Sequence, residues 1–347
     1  MSAETYVETY RQLSTTVHDA GLMRRRPGFY LVRIGGWLLG LAGLLVLVVV
    51  LGATWFQLLV AAAIGFVMAQ LGFLSHEAAH REVFASREAN EWLSRIIAGL
   101  VMGLSFGWWM AKHNTHHAYP NHEGEDPDID SNVLALTPDA AQSRRGLGAY
   151  LARHQGIFFV PLLFLEGLNL HVASLRTLLT APEVPHRITE IAFIVLRHGA
   201  YLTLLFLTMP FGMACAFFGV QVGAFGILLG GAFALNHIGM PTVPRGVHVD
   251  FLRRQVVMSR NIKDGPLVRV LMGGLQFQIE HHLFPAAPRA SLPALQRIVR
   301  TECAERDIPY VERTLAEAAT TVIAYLNQVG VRNQDPYRCP LVKRYRG

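Results

Sequence analysis

Charge is what this sequence lacks. Of its 347 residues only 16% are Asp, Glu, Lys or Arg, against roughly 25% in ordinary soluble domains. The deficit is concentrated. No charged residue occurs from Ile34 to Ser75, and none from Gly199 to Pro244. Each stretch is about twice the ~20 residues that one helix needs to cross the hydrocarbon core. Apolar residues are not scarce, at 52%, so disorder is excluded. Length alone would allow one to three soluble domains; the two charge-free blocks point instead to an integral membrane protein. Cysteine is scarce too. Cys215, Cys303 and Cys339 are too few and too scattered for a disulfide framework or a CxxC metal site, and they fit soluble parts that face a reducing cytoplasm. No cleavable signal peptide is expected, because the first apolar run starts at Ile34, behind Glu4, Glu8 and Asp19. The net charge of +6 suits anionic headgroups or an acidic partner protein. No nucleic-acid partner is expected.

The pattern predicts an all-α fold with four transmembrane helices in two hairpins, interfacial helices and a cytoplasmic helical cap. Residues 1–33 read as an amphipathic N-terminal segment. Arg24, Arg25, Arg26 and Arg33 precede the first span and place this end in the cytoplasm. Residues 34–75 form the first hairpin, turning near Gly52. Residues 76–187 are a cytoplasmic and interfacial region. Within it Trp92–Met110 reads as one interfacial helix, and the polar stretch Lys112–Arg145 is expected in water. Of three later apolar segments, Gly156–Leu170, Ile188–Met209 and Gly212–Leu235, one should not cross, because the polar stretches before and after them should share a side. The first is the candidate, since Glu166, Asn169, His171 and Arg176 interrupt it. Residues 188–236 are then the second hairpin, in which Arg197 and His198 must snorkel or face protein. Residues 237–347 are cytoplasmic, with a helix starting at Ser291-Leu292-Pro293 and an amphipathic one over Thr314–Val329. Both termini are expected on the cytoplasmic side.

Fifteen histidines are present and they cluster. His76-Glu77-Ala78-Ala79-His80 closes the second span. His113-Asn114-Thr115-His116-His117 repeats the spacing i, i+3, i+4. Asn236-His237 closes the last span, and Gln278-Ile279-Glu280-His281-His282 lies in the cap. Side chains four apart on a helix share a face, so each group can aim imidazoles at one point. Eight histidines converge on one membrane face, more than one metal accepts, and two metals are implied. The first group also matches H-E-x-x-H, as in zinc proteases. A single zinc uses three protein ligands and leaves five histidines unexplained. A di-iron centre accounts for all four groups and can activate O2 against an unactivated carbon.

These residues resemble a membrane fatty acid desaturase. The likeness rests on the four histidine groups in order, on His237-Ile238-Gly239-Met240-Pro241, on His281-His282-Leu283-Phe284-Pro285, and on His116-His117-Ala118-Tyr119-Pro120-Asn121 with Asp126-Pro127-Asp128-Ile129. It implies a di-iron oxidase that uses O2 and two external electrons to insert a double bond into a long acyl chain. The carrier is CoA, a carrier protein or a lipid, and the electron donor is a ferredoxin, a cytochrome b5 or a reductase. The ligands implied are His76, His80, His113, His116, His117, His237, His281 and His282. Gln278 stands where many members have His. The family's front-end branch, which desaturates towards the carboxyl end, also has Gln there. That branch usually carries a fused cytochrome b5 domain, for which this chain has no room or haem motif, so Gln278 does not settle the bond position. A hydroxylase would need only a small change in geometry. An intramembrane zinc protease using His76, Glu77 and His80, and a metal transporter, are readings of other classes.

Around the ligands, Glu77, Glu280, Gln278, Asn236 and His171 are candidates to support the histidines. Asp126, Asp128 and Asp130 are either such partners or a solvated turn. His122 and His154 are expected in water. Phe106, Trp108, Trp109 and Tyr119 line an acyl tunnel or form an interfacial belt. Arg253, Arg254, Arg260 and Lys263 dock an acidic carrier or a CoA phosphate, or simply keep this side inside.

Overall fold

The structure is a computed structural model that describes residues 3–131 and 133–332; Cys339 lies outside the described residues. Helix α1 (Ala3–Asp19) is followed by a hairpin of α2 (Pro27–Leu51) and α3 (Gln57–Ala79). The hairpin closes because Gln57, buried at the turn, donates from Nε2 to Val48 O at 2.7 Å and to Gly52 O at 2.8 Å. Those carbonyls belong to the end of α2 and would otherwise be bare in an apolar setting. Helix α2 leaves Leu39 75% and Val50 74% exposed, as a lipid-facing helix does.

The run read as one interfacial helix is two helices at a sharp bend. Helix α4 (Arg87–Ile96) continues as a π-helical turn over Ile97–Met102, the chain reverses, and α5 (Phe106–Ala118) leaves at 118°. Gly103 makes the reversal with φ +78, and a Cβ there would lie 2.3 Å from His198 Cε1. Ser105 caps α5 by accepting from Trp108 N at 3.0 Å. The two arms are pinned by Glu190, which accepts from Arg95 Nε at 3.1 Å, Ser105 Oγ at 2.5 Å and Gly107 N at 3.1 Å. At the tip, Arg197 donates to Val101 O at 3.2 Å and the His171 ring puts Nε2 3.0 Å from Met102 O. A cation at the carbonyl end of a helix is favourable. Arg197 therefore faces protein, as expected of an intramembrane arginine.

Short helices α6 (Pro138–Ser143) and α7 (Gly146–Arg153) lead to α8 (Gln155–Thr180), α9 (Arg187–Thr208) and α10 (Phe211–His237). Among the described residues five helices, α2, α3, α8, α9 and α10, are long and apolar enough to cross a membrane. Helix α8 is longer than the sequence suggests. It runs unbroken through Glu166, Asn169, His171 and Arg176; Glu166 and Asn169 line a cavity and His171 bonds to the α4–α5 tip, while Arg176 is exposed. Small residues let α10 pack backbone to backbone on both sides. A Cβ on Gly65 of α3 would sit 2.4 Å from Gln221 O, and one on Gly226 would sit 2.4 Å from Gly167 N of α8.

A polar cap completes the fold. It comprises α11 (Phe251–Val257), β1 (Asn261–Ile262), α12 (Pro266–Met272), α13 (Gln278–Leu283), α14 (Leu292–Glu305), β2 (Glu312–Arg313) and α15 (Leu315–Asn327). The two strands pair in parallel, Asn261 opposite Glu312. Pro293 sits in the first turn of α14, as the sequence predicts, but Ser291 at its N-cap makes no capping hydrogen bond; α15 begins after Thr314, where a Thr314–Glu317 capping box holds its N-terminus. The amphipathic α1 lays Leu13 and Val17 into the cap core beside Leu252, Val256 and Leu295.

Candidate metal centre

Four elements end at one place. The last turn of α3 brings His76 and His80, α5 brings His113, His116 and His117, the end of α10 brings His237, and α13 brings His281 and His282. The eight rings fall into two groups whose ligand atoms lie within 4.8 Å of one another: His76, His80, His113, His117 and His281, and separately His116, His237 and His282.

Each ring of the smaller group is held at Nδ1. His116 Nδ1 lies 3.0 Å from Asp126 Oδ2, His237 Nδ1 lies 3.3 Å from Met258 O, and His282 Nδ1 lies 2.9 Å from Gln255 Oε1. An acceptor at Nδ1 keeps the proton there and leaves Nε2 as a lone pair. His116 Nε2 and His282 Nε2 are buried without a hydrogen-bond partner among the described residues. The Gln278 amide stands 2.9 Å from His237 Nε2 and itself accepts from Asn236 Nδ2 at 3.0 Å, so it is placed as a fourth polar group. In the larger group His113 Nε2 lies 3.0 Å from His76 Nε2 and 2.8 Å from His80 Nε2. One shared proton cannot satisfy three such nitrogens, whereas a cation between them can. His117 Nε2 and His281 Nε2 are buried and unpartnered as well. Burial first, then the neighbouring imidazoles, holds His281 and His282 well below the ordinary imidazole value. They are therefore neutral, the form that binds metal. The donor set fits metal ions.

Other residues sit differently from their sequence reading. Asp126 is not in water: it is fully buried and also accepts from Asn121 N at 2.8 Å and Asp128 N at 2.9 Å. His122 is buried too, with Nε2 3.0 Å from Val247 O. Glu77 is buried in an ion pair with Arg289. Glu280 accepts from Tyr310 at 2.8 Å and Asn261 at 2.6 Å, and burial raises its carboxyl to about 7 against those bonds. Neither carboxylate is the partner given to a histidine here; Asp126 and Gln255 are. Gln255 also donates to His117 O at 2.9 Å, so one side chain touches both groups. Nothing in its local sequence marks it. His171 is spent on the bend and on its own helix, with Nε2 3.0 Å from Met102 O and Nδ1 2.6 Å from Gly167 O. Arg260 is buried and donates to Leu235 O and, at 2.5 Å, to Ile238 O, closing the carbonyl end of α10 rather than offering charge to a partner.

Beside the histidines lies a cavity of about 530 Å³, within the range of ligand pockets. His76, His113, His116 and His237 form one wall, and Leu229 and Phe233 continue it as apolar surface. Phe106, Trp108 and Trp109 line it, and Trp109 stacks on His113 with ring centroids 4.4 Å apart. Tyr119 is 39% exposed and lies elsewhere.

A sequence model of the fatty acid desaturase family matches residues 53–314, most of the chain including every histidine group. The chain belongs to that family and is thereby an oxidoreductase acting on fatty acids. It is similar to the Delta(6)-fatty-acid desaturase fat-3 of Caenorhabditis elegans, 26% identical over 88% of this chain and 71% of the relative. The acyl-lipid (9-3)-desaturase of Physcomitrium patens is 31% identical over 75% of this chain and 51% of the relative. The Delta(5) fatty acid desaturase fat-4 of C. elegans is 29% identical over 88% and 70%.

Proposed function

We propose that this fatty acyl desaturase is a di-iron, O2-dependent enzyme of the front-end type. The observation that carries the metal assignment is the division of eight imidazoles, four of them buried, into five and three, with Gln278 beside the three. Zinc with three ligands would leave most of them idle, and Glu77, the base such a hydrolase needs, is held by Arg289. When bound, two irons supply the activation of O2 that cutting an unactivated C–H bond requires. The overall change is CH2–CH2 plus O2, two electrons and two protons to CH=CH and two waters. The protein's part is to hold the imidazoles in place and oriented, and to lay the acyl chain along the cavity wall. Burying that chain contributes ~0.8 kcal/mol per CH2. The front-end position is supported by relatives named for Delta(5) and Delta(6) positions, which count from the carboxyl end.

Four spans and a cytoplasmic centre remain our reading of the topology, with α8 not crossing. One end of α8 is held by α15 of the cap and the other lies against the histidine-bearing α5, which supports it. Gln155 donates to Leu326 O at 3.1 Å in α15, and Val184, just past the other end, packs against Gly107 of α5. The two electrons come from an external donor, a ferredoxin, cytochrome b5 or reductase, and the acyl group arrives on CoA, a carrier protein or a lipid. Two measurements test the enzyme reading together. Purified chain from iron-replete cells should hold about two irons, and lipids of expressing cells should gain a double bond near the carboxyl end. Active protein holding one zinc and no iron would sink the di-iron assignment.

A further inference from the structure

The cavity has one charged wall that neither the metals nor an aliphatic chain uses. Lys112 of α5 precedes His113 and pairs with Asp128, whose other oxygen lies 3.4 Å from His116 Nδ1. Helix α8 contributes Glu166 and Asn169, one turn apart, with Asn169 Nδ2 donating to Glu166 Oε2 at 3.2 Å. All four residues line the cavity. Charged groups are costly beside an apolar chamber in a membrane protein unless they have a task. A methylene chain offers them nothing. The polar part of an acyl substrate is its carbonyl end, an acceptor. Lys112 carries three donors and Asn169 two, and the carboxylates on either side hold these donors in place.

We propose that Lys112 and Asn169 bind the carbonyl oxygen of the acyl ester or thioester, and that this contact decides which carbon pair reaches the metals. The inference rests on the front-end reading. In such a reaction only a short run of methylenes separates the carbonyl from the C–H bonds that are cut, so both must fit one cavity. Lys112 pairs with Asp128, whose other oxygen lies 3.4 Å from His116 Nδ1, which places it that close. A fixed anchor acts as a ruler, because positioning within the bound complex selects the reacting atoms.

The test uses the full chain in membranes, with wild type, Lys112→Met, Lys112→Arg and Asn169→Leu. Acyl-CoA and acyl-phospholipid are supplied in separate arms, which tells thioester from ester. Iron per chain, kcat/KM and double-bond position by mass spectrometry are read. Lys112→Met should lower kcat/KM by roughly 10- to 100-fold, the loss of one charge-assisted hydrogen bond, and should spread the double bond over neighbouring carbons with iron retained. Lys112→Arg should keep a single position. Asn169→Leu should spread the position with a smaller loss of rate. Lys112→Met and Asn169→Leu proteins that both keep the wild-type position, whatever their rate, overturn the inference. If Lys112→Met loses its iron, Asn169→Leu decides by the same criterion. A wild-type product remote from the carboxyl would instead sink the front-end reading itself.

Discussion

A histidine presents a lone pair to a metal only if its other nitrogen is occupied, so the atoms behind the rings matter as much as the rings. Asp126 is the clearest case, buried and 3.0 Å from His116 Nδ1. Asp126→Asn should weaken metal retention or activity by roughly 10–100-fold, the usual effect of losing such a partner. Iron content and turnover measured side by side check it; wild-type values in both would remove Asp126 from the site. Gln278→Ala should behave alike, lowering turnover while keeping much of the iron, since it removes one amide from a group that retains three imidazoles. Gln278→His should be tolerated. The spacing of the histidine groups made the ligand candidates legible. Their partners were not, because hydrogen bonds such as Gln255 to His282 join residues with no periodic relation. For Glu77 and Glu280 proximity in sequence misled: a neighbour of a ligand on a helix points away from it.

The bend between α4 and α5 is an element that hydropathy could not reveal. Its residues are apolar enough for an interfacial helix, and the reversal depends on Gly103 and on Glu190, which is 95 residues from its partner Arg95. Glu190→Ala leaves Arg95, whose side chain is only 4% exposed, as an unpaired buried charge. The expected cost is about 3–5 kcal/mol, read as a large fall in Tm of the detergent-solubilised protein. Glu91→Ala is the contrast. It breaks a pair with Arg87, whose side chain is 70% exposed, and exposed helical pairs are worth about 0.3–0.5 kcal/mol. Similar Tm shifts for the two variants would mean that Glu190 does not hold the bend. By contrast, the long apolar helices α2, α3, α9 and α10 and the starts of α14 and α15 were readable, since apolar runs and residues such as Pro293 and Thr314 act locally.

At the scale of the molecule the path of α8 fixes the sidedness of every later helix. Glu183 is exposed in the loop between α8 and α9. A cysteine placed there should react with an impermeant reagent only from the side that holds the histidines. Labelling from the opposite side would mean that α8 crosses, and the sidedness of every later helix would need redrawing. Composition alone could not decide this, because α8 passes the length and hydropathy test of a span.

The ligands are drawn from α3, α5, α10 and α13, from residue 76 to residue 282. During synthesis the first histidines enter the membrane region long before the last are made. Until α13 docks, no complete donor set exists, and afterwards the clustered lone pairs repel one another until cations arrive. Insertion and metal loading are thus separate stages in the life of the chain, and the second is a maturation step that can fail. Metal binding couples to folding, so under the proposed di-iron reading a cell short of iron is left with inserted but immature chains. The supply of iron would then govern how much desaturase survives quality control as well as how much is active.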